Sequence, residues 1–197
     1  MATRLPADQR RRQLLDISCG MFAERGFHAT AMDDIALAAG VTKPVLYQHF
    51  ASKRALYAEV LDDVGGRLLA QLADATSAAT TGRERVESGF RAYFRFVDEN
   101  RDAFRVLFGS AARNDAEFAV MVDRVLDDVA SAVESLIAIE GTEEHRRVLA
   151  HAVVGIAEAS SRDAIGPGGA DLDPDRLAAW VAELTWFGLR GIRSDAG

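Results

Sequence analysis

Gly40 and Val41 are all that separates two short stretches of helical pattern, Ala31–Ala39 and Lys43–His49. Helices joined by so short a link cannot lie antiparallel; they must cross steeply, as in a helix-turn-helix. Gly40 supplies the backbone freedom such a turn requires, and Ala36 is small where the two helices touch. Thr30 is the expected cap of the first of them, with Met32, Ile35, Ala36 and Ala39 facing inward; Thr42 is the expected cap of the second, and Ser52 of a fourth helix beginning at Lys53. Upstream, Asp8–Arg25 reads as a helix whose Leu14, Ile17, Met21 and Phe22 share one face, closed by Gly26.

On a helical wheel of the 43–49 segment, Leu46 and Phe50 point together into a core, and Val41 helps to lock the helix there. Pro44, Val45 and Gln48 then point outward, with Lys43 and Tyr47 on one flank and His49 on the other. Such a face serves solubility poorly and suits a DNA major groove. Pro44 and Val45 can touch thymine methyl groups, Gln48 can bond adenine and Lys43 guanine. Tyr47 and His49 offer hydrogen bonds to phosphate, and the start of the fourth helix presents N–H groups together with Lys53; Thr30 does the same at the second helix. Arg4 and Arg10–Arg12 offer an arm along the backbone or a solvated helix start.

The formal charge of −7 conceals an asymmetry. Residues 1–60 carry eight Lys and Arg against six Asp and Glu, and the remaining chain fifteen against twenty-four. A weakly basic head on an acidic body orients the body away from phosphate.

Roughly residues 10–56 resemble the tetracycline repressor (TetR) family, with a core of Phe22, Gly26, Thr30, Ile35, Ala36, Gly40-Val41, then Leu46-Tyr47, His49-Phe50, Ser52-Lys53 and Leu56. Pro44 departs from the glycine or other small residue of many relatives. The resemblance implies base contacts by Lys43, Pro44, Val45 and Gln48, and phosphate contacts by Thr30, Thr42, Tyr47, His49 and Lys53. It also implies that the acidic remainder is a helical ligand-binding and dimerisation domain. The expected fold is all-α: a three-helix DNA-binding head at residues 1–56 and a helical bundle at 57–197, with the fourth helix linking them. The expected function is a ligand-responsive regulator, a repressor that binds a palindromic double-stranded operator as a homodimer and is released by a small hydrophobic effector. An activator or a sequence-nonspecific architectural protein is the alternative.

The remaining helices are predicted at 53–79, 83–99, 101–108, 114–140, 143–164 and 174–193, the last opened by Asp173, Pro174 and Asp175. Gly65-Gly66 inside the fourth helix cost about 1 kcal/mol each relative to alanine and mark a soft point between head and body. Phe90, Phe94, Phe108, Phe118 and Met121 are candidates to line an effector pocket, with His151 and Glu158 as polar groups that orient a ligand or serve as satisfied core or interface groups. Ala150, Val153, Val154, Ala157 and Ser160, with Val181, Leu184, Thr185 and Gly188, are the expected contacts with a second copy, which would set two reading helices about 34 Å apart.

No catalytic triad, phosphate loop or dinucleotide motif is present, and no His, Cys and carboxylate set has metal-site spacing, so no enzymatic role, cofactor or metal is expected. Cys19, the single cysteine, reads as a small core residue in a reducing cytoplasm. The N-terminus has no apolar run like that of a signal peptide, and no stretch is long and apolar enough for a membrane span.

Overall fold

The computed structural model describes residues 6–109, 112, 114–137, 141–165 and 172–190. These are helical throughout, with no strand among the described residues. The helices are α1 (Ala7–Ala29), α2 (Met32–Ala38), α3 (Lys43–His49), α4 (Lys53–Ser77), α5 (Gly82–Glu99), α6 (Arg101–Phe108), α7 (Ala116–Leu136), α8 (Glu143–Ile165) and α9 (Pro174–Arg190). Gly26 ends the first helical run of α1, as expected, leaving helical geometry at φ 78°, and a short second run continues beyond it to Ala29. Gly40 takes φ 64°, the left-handed conformation that favours glycine, and the Val41 N–H bonds the Ala36 carbonyl at 2.9 Å.

The chain divides into two compact units, residues 1–65 with 102–123, and residues 66–101 with 124–197. In α4 the division falls between Gly65 and Gly66, and a Cβ at Gly66 would meet nothing within 4 Å, so packing does not demand glycine there.

The first unit gathers Leu14, Ile35, Leu46, Phe50, Leu56 and Val60 in its core, all nearly or fully buried. Beside them Phe22, Phe27, Tyr57 and Phe118 form one aromatic cluster. Phe22 meets Tyr57 edge-on at 5.0 Å, Phe27 meets Phe118 at 5.0 Å, and Tyr57 meets Phe118 at 4.4 Å. These separations favour edge-to-face and tilted ring pairs. The Tyr57 hydroxyl donates to the Val106 carbonyl of α6 at 3.1 Å. Burial pushes that phenol up to about 12, so it stays a donor at neutral pH. Phe118, expected to line an effector pocket, is a core residue of the first unit.

In the second unit α9 packs along α5. The fit follows from α5's buried stripe of Phe90, Tyr93, Phe94 and Val97, spaced three and four apart. A capping box starts α5: the Thr81 hydroxyl accepts from the Glu84 N–H at 3.1 Å, and the Glu84 carboxylate accepts from the Thr81 N–H at 3.1 Å. At the start of α9, Asp173 accepts from the Arg176 N–H at 2.8 Å, the cap expected from the sequence. Arg95 of α5 holds Asp175 with two bonds of 2.7 Å.

Of the expected second-copy contacts, Ala150, Ala157, Val181 and Thr185 are buried within the chain, Val153, Val154 and Ser160 are half-buried, and Leu184 and Gly188 are exposed. The outward stripes run through Val148, Ala152, Gly155 and Ala159 of α8 and through Trp180, Leu184 and Phe187 of α9, so Leu184 is an expected contact that does face outward. Among the described residues no helix is long and apolar enough to cross a membrane.

Truncating Phe118 to alanine is expected to destabilise the first unit by about 3–5 kcal/mol, the usual cost of emptying a buried phenyl site. Chemical denaturation measures it; a pocket residue with no core role would leave the midpoint nearly unchanged.

Candidate nucleic-acid interface

The first three helices and the start of α4 build one exposed surface around α3. Its inner side is fixed by Leu46, fully buried, and by Phe50 just past its end. That anchoring turns Lys43, Pro44, Tyr47 and Gln48 to the outside, with Tyr47 42% exposed, while Val45 and His49 are half-buried. Pro44 sits in the first turn, where a missing N–H costs nothing. The wheel drawn from the sequence and the observed exposures agree for Pro44, Leu46, Gln48 and Phe50, whereas Val45, expected outward, is half-buried.

The capping residues differ from expectation. Thr42 occupies the cap position of α3, and its carbonyl accepts from the Val45 and Leu46 N–H groups at 3.0 and 3.2 Å, but its hydroxyl makes no cap bond and the residue is exposed. Thr30 does not cap α2; Ala31 holds that position. The Thr30 hydroxyl is buried and donates back to the Gly26 carbonyl at 2.8 Å and the Met21 carbonyl at 3.3 Å. The break at Gly26 opens those carbonyls, and a threonine one turn on is placed to satisfy them. Ser52 does cap α4, accepting from the Ala55 N–H at 3.0 Å.

Lys53 is likewise turned to the protein. Its ammonium donates to the carbonyls of Phe27 and Thr30, each at 2.8 Å, and of His28 at 3.2 Å, and lies 4.6 Å from the centre of the Phe27 ring. A cation with three donors is well matched to the carbonyl-rich C-terminal end of a helix.

Arg11 and Arg12 are occupied in a similar way. Arg11 pairs with Glu59 of α4, and Arg12 pairs with Asp63 of α4 and with Asp16 at 2.6 Å. They bind α1 to α4, which corrects the reading of Arg11 and Arg12 as an arm on DNA or a purely solvated helix start. Arg10 bonds Gln13 at 2.6 Å, and Arg4 lies outside the described residues. Glu59 and Asp63, one turn apart on one face, were the sequence signal that could have revealed this pairing.

Arg54, which the sequence reading passed over, pairs with Asp115 at 2.8 Å and Glu117 at 2.7 Å, its guanidinium 4.7 Å from the centre of the Phe118 ring. The hydrogen bond from Arg54 holds the Asp115 carboxyl below its ordinary range.

The expected effector residues divide between the units. Phe90 and Phe94 are buried on α5, 6.1 Å apart and stacked. Phe108 is half-buried against Phe104 at 4.7 Å, and Met121 is half-buried on α7. His151 is exposed, 3.9 Å from Asp127, and Glu158 pairs with Arg162 one turn on. These two polar groups thus face charged surface neighbours.

The family model of bacterial regulatory proteins of the tetR family matches residues 14–60, and that of a tetracyclin repressor-like C-terminal domain matches residues 82–188. The chain is 35% identical over 191 residues to the HTH-type transcriptional activator FasR of Mycolicibacterium smegmatis, over 96% of this chain and 87% of that protein. It is 28% identical over 189 residues to the HTH-type transcriptional repressor KstR2 of Mycobacterium tuberculosis, over 94% of this chain and 82% of that one. The crystal structure of a TetR-like transcriptional regulator from Rhodococcus sp. RHA1 matches with a TM-score of 0.77 at 30% identity, over 96% of this chain and 100% of that one.

Lys53→Arg tests the carbonyl clamp. A planar guanidinium cannot converge on three carbonyls as an ammonium does. The variant is expected to lose about 1.5–3 kcal/mol of stability in thermal or denaturant unfolding, the range for hydrogen bonds to a charged group. Unchanged stability would mean that the clamp contributes nothing.

Proposed function

We propose, for a chain that belongs to the TetR family of bacterial transcriptional regulators, that the outward face of α3 reads operator DNA and that the protein is a repressor released by a small hydrophobic effector. The observation that carries the reading is the exposure of Pro44, Tyr47 and Gln48 on a short helix anchored from behind by Leu46 and Phe50. Lys43, Pro44, Val45 and Gln48 contact bases; Thr42, Tyr47 and His49 contact phosphate. Thr30 and Lys53 act from inside, by holding the end of α1 against the start of α4.

The division of labour is residues 1–56 for DNA and 57–197 for effector and second copy, with α4 as the link. Homodimerisation is supported by the apolar outward stripe of α9, where Trp180, Leu184 and Phe187 are 48%, 64% and 58% exposed. Contiguous exposed apolar surface of this kind marks an interaction site. A two-fold dimer brings two copies of α3 to one palindrome. The buried rings of Phe90, Tyr93 and Phe94 support an apolar effector of the second unit. Activation is the second reading, favoured by the similarity to an activator.

Selection of bound fragments from genomic DNA at about 0.15 M salt is expected to enrich one palindrome, with affinity falling steeply as salt rises. Tyr47→Ala should abolish that enrichment while the protein stays folded. Enrichment of no particular sequence would favour an architectural protein. Raised transcription of the adjoining gene when the protein is absent marks a repressor; lowered transcription marks an activator.

Leu184→Glu tests the dimer separately. A charge in an apolar two-fold contact meets its own copy across the axis, so the variant should sediment as a monomer and bind the palindrome far more weakly. A variant that remains dimeric would exclude the α9 stripe as the interface.

A further inference from the structure

Lys43 opens α3, and its ammonium lies 2.7 Å from a carboxylate oxygen of Asp33 in the first turn of α2. The two side chains are 55% and 64% exposed, so neither is held in place by burial. The adjacent acid, Asp34, faces Arg25 of α1 instead, at 3.5 Å. Asp33 is thus the member of the acidic pair directed at α3. Lys43 is the only lysine or arginine within α3, so this one carboxylate offsets the helix's one permanent cation.

A carboxylate so placed acts on DNA binding in two ways. It repels phosphate, and it competes for the ammonium that phosphate would otherwise attract. An ion pair this exposed is weak, so a well-matched acceptor can take Lys43 from it. Guanine offers such an acceptor through its major-groove O6 and N7. A single phosphate on arbitrary sequence offers only a point charge, and the contact it gains is offset by the pair it breaks.

We propose that Asp33 is a specificity-determining residue, which withholds Lys43 from the phosphate backbone of arbitrary DNA and so weakens nonspecific binding more than binding at the operator. The proposal rests on reading α3 as the DNA-contacting helix.

The test compares wild type, Asp33→Asn, Lys43→Gln and the double variant on two duplexes. One is selected from random-sequence DNA by the wild type; the other is a shuffled duplex of the same composition. Melting curves establish that all four proteins are folded. Asp33→Asn is expected to bind the shuffled duplex about five-fold more tightly at about 0.15 M salt, with a log–log salt slope steeper by about 0.9, one added phosphate contact. The gain on the selected duplex should be smaller, and Lys43→Gln should remove most of both gains, the coupling that a double-mutant cycle reads. Three results overturn the proposal: no gain on the shuffled duplex, an equal gain on both duplexes, or a gain undiminished by Lys43→Gln. If the wild type selects no duplex, the reading of α3 itself fails, and that failure is seen before any variant is made.

Discussion

Four rings, Phe22, Phe27, Tyr57 and Phe118, hold together the parts of the chain on which the exposed α3 surface depends. They come from α1, α4 and α7, and the Tyr57 hydroxyl reaches a fourth helix, α6, through the Val106 carbonyl. A three-helix head of so few residues buries little apolar surface by itself. The rings enlarge its core by recruiting segments that lie far along the chain. The orientation of α3 follows from this, because Leu46 and Phe50 are pressed into the same unit.

The basic residues of the head serve its architecture more than its charge. Arg11, Arg12, Lys53 and Arg54 each bind one helix to another segment. The surplus positive charge of residues 1–60 is therefore a poor measure of what faces solvent. The residues facing outward around α3 are Thr42, Pro44, Tyr47 and Gln48, all uncharged, and the cation Lys43.

The helices were legible because each signal is local. The Gly40 turn, the Ser52 and Asp173 caps and the three-and-four spacing of α5 depend on neighbours within one or two turns. The outward face of α3 was legible for the same reason, since Leu46 and Phe50 fix its rotation. The inward bonds of Thr30 and Lys53 were not legible because their partners are main-chain carbonyls, which carry no sequence label. The place of Phe118 in the first unit was not legible because a phenylalanine on an amphipathic helix looks alike whichever core receives it. The burial of Ala150, Ala157, Val181 and Thr185 was not legible because small residues suit close packing within a chain as well as between chains.

Cys19 is buried in α1 beneath this core, and it is the chain's one cysteine. A thiol reagent can reach it only when the first unit opens, since attack requires an accessible thiolate. Its rate of labelling is therefore a clock for the opening of that unit, and the second unit contributes no signal. The protein carries its own probe for how firmly the α3 surface is held, with no residue to replace.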